Sequence, residues 1–330
     1  MKNVKTPLAI LVLTTLLFTA CSLSDDEGIV PIEEPPFEAP TAEAFNALRD
    51  AALEDRVQTA QFNAEDGISF TSDNGVVLNI SGECLSLNGD PVTGEVDLEY
   101  VELFEKGNML PANRPTVGLT TEGDKALLIS GGEFYVNVTQ NGEALESGCN
   151  MQMMIPADLT GGPDQDMTLW AGTIDDDGNL VWDEREEGAI GQEEGVFAEG
   201  DQYFAFFGEF GWTNVDRFYN DPRPKTTLQV QVPEGFTNEN CAVYLSYDGE
   251  ENALAQLDTF DANTGTFSEH YGQIPVGLEM HVIFVTEEDD QWRYAIQGVT
   301  VAENDIYIFA LEDTTTGSEE DLVNAINMLP

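Results

Sequence analysis

The chain has 330 residues, of which 62 are Asp or Glu and only 12 are Lys or Arg, for a formal net charge of −50. This balance excludes nucleic acid as a partner, because phosphate binding needs clustered cations to displace counterions, and it disfavours anionic lipid surfaces for the same reason. The hydrophobic content of 42% is that of a folded chain rather than of a disordered acidic tail.

In chain order, Met1, Lys2 and Lys5 give a basic start, and an apolar run from Leu8 to Phe18 is interrupted only by Thr14 and Thr15 before Thr19-Ala20-Cys21. These are the three parts of a secretory signal. The apolar run is well short of the ~20 residues of a spanning helix, so residues 1–20 are expected to be a signal peptide removed after Ala20. A cysteine directly after a small residue resembles the bacterial lipobox, in which the thiol receives a diacylglycerol and the new amine is then acylated. Phe18 departs from the Leu usual in that motif. The resemblance implies lipidation of Cys21, and two or more acyl chains hold a protein stably on a membrane where one does not. Ser22-Leu23-Ser24-Asp25-Asp26-Glu27 resembles the surface-export signal of Bacteroidota lipoproteins, which implies an outer-membrane protein facing the cell exterior.

Residues 21–40 carry Pro31, Pro35, Pro36 and Pro40 among glutamates. Such a composition cannot build a core and reads as an acidic tether. Thr41 is placed to cap a helix running to about Glu54, with Phe45, Leu48, Ala52 and Leu53 on one stripe expected to pack on the first β-domain. Period-two alternation follows at Val96, Leu98 and Tyr100 and at Phe134, Val136 and Val138, which predicts strands with one buried face. Turn signals fall at Asp73-Asn74-Gly75, Asn88-Gly89, Ser130-Gly131-Gly132 and Asn141-Gly142. Two stretches, Asn88-Gly89-Asp90-Pro91-Val92-Thr93-Gly94-Glu95-Val96-Asp97-Leu98-Glu99 and Ser130 to Gly142, resemble a module of β-rich surface lipoproteins of Bacteroidota. The first is also similar to the opening hairpin of immunoglobulin-like sandwiches. The shared residues are turn-formers and core-facing apolars, so the resemblance implies a fold and no chemistry.

The middle of the chain holds Trp170, Trp182, Trp212 and the run Tyr203-Phe204-Ala205-Phe206-Phe207, expected to complete the sheets of a first domain over 41–220. Asp221 to Lys225 reads as a linker. Strand candidates at Leu228 to Val232, Val243 to Tyr247, His281 to Val285, Trp292 to Ile296 and Ile306 to Phe309 then predict an immunoglobulin-like sandwich of about seven strands over 226–313. Ser318 caps a short amphipathic helix in 314–330. The expected fold is therefore mainly β, two β-sandwich (immunoglobulin-like) domains with short N- and C-terminal helices.

Chemistry-bearing motifs are few. His270 and His281 are the only histidines, and neither sits in a nucleophile elbow or a His-Glu-x-x-His pair. Thr173 to Glu184 places Asp175, Asp177 and Glu184 at positions three, five and twelve of an EF-hand-like loop, with Asn179 nearby, but Thr173 stands where the first aspartate belongs. Calcium is the one cofactor this suggests, and the competing reading is a polar hairpin turn. Beyond the anchor, the cysteines are Cys84, Cys149 and Cys241. An odd number in an oxidising compartment leaves one unpaired, with Cys84 to Cys149 one of three candidate bridges. Tryptophan faces could stack on sugar rings if exposed, though alternation beside apolar neighbours favours the core. The acidity suits either a saline environment, where ~1 M salt shortens the screening length to about 3 Å, or cation binding. The expected function is a non-enzymatic, lipid-anchored interaction protein whose partner is a surface protein or glycan, with a glycan- or calcium-binding module as the alternative.

Overall fold

The computed structural model describes residues 37–174, 179–185 and 194–330. The signal segment, Cys21, most of the tether, Asp175 and Asp177 lie outside the described residues.

Thr41 accepts a hydrogen bond from the Ala44 amide at 3.2 Å and starts the helix Ala42–Glu54, which buries Phe45 and Ala52. The stripe packs on more than the first β-domain: the Phe45 ring meets Trp292 edge-on with centroids 6.1 Å apart, in a cluster that holds Tyr244, Ile283 and Val285 as well as Val101 and Leu103. The reason lies in the strand Cys241–Tyr247, buried at every position. A strand buried at every position needs cover on both faces, and this helix supplies part of one.

The first half is built from two larger sheets. In one, Gly195–Glu199, Gln202–Phe207, Met151–Pro156, Val77–Ile80 and Ile68–Thr71 lie side by side; in the other, Gln58–Asn63 pairs with Glu95–Leu103 and that with the long strand Lys125–Gln140. The alternating residues Val96, Leu98, Tyr100, Phe134, Val136 and Val138 face Leu78, Met153, Ile155 and Tyr203 across the core. Ser130-Gly131-Gly132, expected to be a turn, lies inside the strand Lys125–Gln140. There Asn214 pairs with Glu133 and Asp216 with Ser130, so Gly131 and Gly132 stand opposite Val215 alone. This is a bulge: Gly132 has φ +128°, and a Cβ on Gly131 would lie 2.9 Å from the Val215 carbonyl oxygen.

Beyond the bulge the same sheet closes on itself. Lys125–Gln140 pairs with Gly211–Phe218, that with Thr168–Ile174, that with Leu180–Glu184, and that with Val117–Leu119, which returns to Lys125–Gln140. The ring of five strands is filled by Leu128, Trp170, Leu180 and Trp182.

The second half is a sandwich of a four-stranded sheet, ordered Thr259–Asp261, Thr266–Pro275, Lys225–Gln231, Asp305–Ile308, and a five-stranded sheet centred on Glu279–Glu288. Leu228, Val230 and Phe267 of the first layer share a core with Val243, Leu245, Val282 and Phe284 of the second. Ser318 and Asp321 cap each other at the start of the C-terminal helix Glu319–Asn327, whose Leu322 and Ile326 join Phe45 under the five-stranded sheet. Residues 38–330 form one unit, and a single buried cluster runs from Leu78 and Val136 to Val243 and Phe284. At the expected linker, the Arg223 guanidinium bonds Asp221 at 2.6 Å, and the Tyr219 ring stands edge-on to Tyr247, 5.2 Å between centroids.

Candidate functional site

The tryptophans are interior. Trp170, Trp182 and Trp292 are 1%, 0% and 2% exposed, and half-buried Trp212 lies under the Arg114 guanidinium and beside Tyr135. Their indoles therefore offer no flat outer platform for a sugar.

Phenylalanines do reach the surface. Along Gln202–Phe207 the alternation sends Tyr203, Ala205 and Phe207 into the core and turns Phe204 and Phe206 outward. Phe197, on the neighbouring strand Gly195–Glu199, pairs directly with Phe204 and is 50% exposed. Its ring lies nearly parallel to Phe204 (5.2 Å, 11°) and to Phe206 (5.9 Å, 14°). Three offset-stacked rings thus stand in a row at the edge of a sheet.

The row borders a cleft of about 1360 Å³ between that edge and the five-stranded ring, where Met167, Leu169 and Phe218 supply apolar wall. Its charged lining is mostly anionic, with Glu122, Asp183, Glu184 and Glu194 against one cation, Arg185, and Thr120, Thr121, Gln165 and Thr168 as neutral polar neighbours. The Arg185 guanidinium is engaged by Glu209 at 2.7 Å and lies 3.9 Å from Glu194. Glu194 also accepts from the Gly208 amide at 3.0 Å.

The loop suggested for calcium is not assembled from its described members. Thr168–Ile174 and Leu180–Glu184 are antiparallel partners, with Ile174 opposite Leu180 and Trp170 opposite Glu184. An extended strand rises about 3.4 Å per residue, which puts Glu184 some 14 Å from Leu180, whereas calcium ligands share one ion at 2.3–2.6 Å. The Asn179 side chain accepts from Gln256 at 3.2 Å. Among the described residues, no group of three or more His, Cys, Asp or Glu side chains is arranged to hold a metal ion. His270 meets the Thr259 hydroxyl at 3.2 Å and His281 meets Asp248 at 2.8 Å; Ser246 stands opposite His281 on the neighbouring strand, and its hydroxyl makes no hydrogen bond among the described residues. Cys84 and Cys149 are joined, and Cys241 is a buried thiol.

Two carboxylates lie deep inside, beside the bulge. Glu133 and Asp216 are both 0% exposed, and neither Glu133 oxygen has a hydrogen-bond partner among the described residues. Burial, then repulsion from Asp216, pushes the Glu133 carboxyl well above its ordinary range against the pull of Arg114, and burial raises Asp216 likewise. An acid whose folded pKa is raised contributes stability that is full below its unfolded pKa and lost as pH rises through the folded value. Stability should therefore decline as pH climbs above about 4.5, the ordinary value for Glu133. Glu133→Gln, which keeps the shape and removes the charge, is expected to flatten that decline and add about 1–2 kcal/mol at pH 8. Urea midpoints measured from pH 5 to 9 check this, and parallel curves for the two proteins would refute it.

Signal for this cleft was faint in the sequence, since its walls come from segments scattered between Leu119 and Phe218. No protein-family model matches the chain, and a comparison with curated proteins finds no match.

Proposed function

We propose that this chain is a non-enzymatic binding protein, anchored by acyl chains on Cys21 to the outer membrane and displayed on the cell exterior at the end of an acidic, proline-rich tether. The observation that carries the binding reading is exposed Phe197 stacked with half-buried Phe204 and Phe206 beside a large cleft, since apolar area left in water beside a concavity marks an interaction site. The lipobox-like Thr19-Ala20-Cys21 supports the anchor. Support for display comes from residues 21–36, which in extended form reach about 50 Å at ~3.3 Å per residue, enough to hold the folded unit clear of the lipid headgroups.

Fractionation tests the anchor. Cys21→Ser should lower the membrane-bound share tenfold or more, because losing the acyl chains removes the dominant attraction. Protease added to intact cells should remove the wild-type protein while periplasmic proteins survive. A Cys21→Ser protein that stays in the membrane pellet, or a wild-type protein shielded from the protease, would overturn this reading.

A further inference from the structure

We infer that the cleft receives an extended polypeptide segment bearing Lys or Arg, which pairs with the edge strand Gly195–Glu199 and lays its side chains along the phenylalanine row and the acidic rim. This deepens the binding reading above by naming the partner's chemistry.

Three independent features meet at this edge. The first is backbone. Among the described residues Gly195–Glu199 is paired on one side only, with Gln202–Phe207. The Ala198 carbonyl points away from that partner, since it accepts from the Gln165 side chain at 3.3 Å. In an antiparallel ladder alternate residues direct both backbone groups to the same side, so the amide and carbonyl of Val196 also face outward. Val196 and Ala198 meanwhile pack their side chains on the core, which holds the edge in register for an added strand.

The second feature is size. A space of about 1360 Å³ exceeds the roughly 300–1,000 Å³ typical of small-molecule pockets, and suits several residues of extended chain.

The third is charge. Glu122, Asp183, Glu184 and Glu194 line the cleft, and Arg185 is already engaged by Glu209. The Phe197 and Phe206 rings offer faces that attract ammonium or guanidinium groups. Cations are scarce elsewhere too: Arg56, Lys125, Arg217, Arg223 and Arg293 are each paired with a carboxylate. The net charge of −50 therefore steers basic partners inward and repels phosphates, acidic glycans and acidic proteins. A neutral glycan could use the rings and carboxylates, but it would leave the outward Val196 rung unused and gain nothing from the charge.

The test is titration of the acylated, full-length mature protein in neutral detergent with an alternating Lys–Val octapeptide. Comparison probes are its Glu–Val counterpart, a Lys–Val peptide methylated on alternate backbone nitrogens, and maltoheptaose. Expected are saturable binding of the Lys–Val peptide, a tenfold or greater loss of affinity between 50 and 500 mM salt, and no detectable binding of the Glu–Val peptide. The methylated peptide should bind at least tenfold more weakly, which separates strand pairing from bulk attraction to an acidic surface. Phe197→Ser and the double variant Glu122→Gln/Glu184→Gln, which changes exposed residues only, should each weaken binding several-fold at unchanged melting temperature. Equal affinity for the plain and methylated peptides, indifference to these substitutions, or binding of maltoheptaose in place of the peptide would overturn the inference. None of those results bears on the anchor, which the Cys21→Ser fractionation tests by itself.

Discussion

Replacing Trp182 with alanine is expected to lower the unfolding free energy by about 3–5 kcal/mol, the range for removing a fully buried large aromatic side chain. The size of the effect follows from how the five-stranded ring is filled. A small closed sheet has room inside only for its own side chains, and Trp182 is paired with Gly118 on one neighbouring strand and Gly172 on the other. Both glycines make room for indoles: a Cβ on Gly118 would lie 2.9 Å from Trp170, and one on Gly172 would lie 2.8 Å from Trp182 and 2.6 Å from the Trp212 Cβ. The Trp182 ring nitrogen also donates to the Pro115 carbonyl at 3.0 Å. Truncation thus leaves a cavity that glycine neighbours cannot fill and a carbonyl without its donor. The converse change, Gly172→Ala, should cost about 1–3 kcal/mol by overpacking. Urea unfolding measures both, and a loss below 1 kcal/mol for Trp182→Ala would show that this indole does not hold the ring together.

Much of the β architecture was legible because one-sided burial writes itself as alternation. Val96, Leu98 and Tyr100 face inward between Asp97 and Glu99, and Val243, Leu245 and Tyr247 mark a strand, although its burial at every position was not read from them. Other features were not legible, for definite reasons. Ser130-Gly131-Gly132 has turn composition, and only Val215, some eighty residues away, makes it a bulge. The stripe of Phe45 and Ala52 shows that a helix face is buried without showing against what. Phe204 and Phe206 alternate with buried neighbours, whereas buried Trp170 follows buried Leu169, so alternation in the sequence could not rank their exposure. The cleft depends on the sheet edge formed by Gly195–Glu199, and strand order within a sheet is a long-range property. Its acidic rim was hidden for a simpler reason: in a chain with 62 Asp and Glu residues, the four that meet at one place carry no local signal.

Removing the Cys84–Cys149 bond should cost about 4 kcal/mol, because a cross-link spanning 65 residues deprives the unfolded chain of a large closure entropy. The native cost of holding the two cysteines together is small, since the backbone already brings them there. Glu146 pairs with Ser86 and Ser147 with Leu85, the Gly148 amide donates to the Cys84 carbonyl at 2.7 Å, and the Ser147 hydroxyl donates to the Cys149 carbonyl at 2.7 Å. The bond fastens this small sheet beside Met151–Pro156, so the elements it secures belong to the same core that Phe134 and Tyr203 fill. Cys241 does not compete for either partner. It is 1% exposed, its thiol meets the Thr237 carbonyl at 3.1 Å, and burial pushes it up and away from the thiolate form that attacks disulfides. The double variant Cys84→Ser/Cys149→Ser should therefore unfold at the same lowered midpoint with or without reductant. Wild-type protein should fall to that midpoint only after reduction, with the free thiols among Cys84, Cys149 and Cys241 rising from one to three. A wild-type midpoint unmoved by reduction, once three thiols are counted, would show that the closure entropy is offset elsewhere and that pairing of the small sheet alone holds the two segments together.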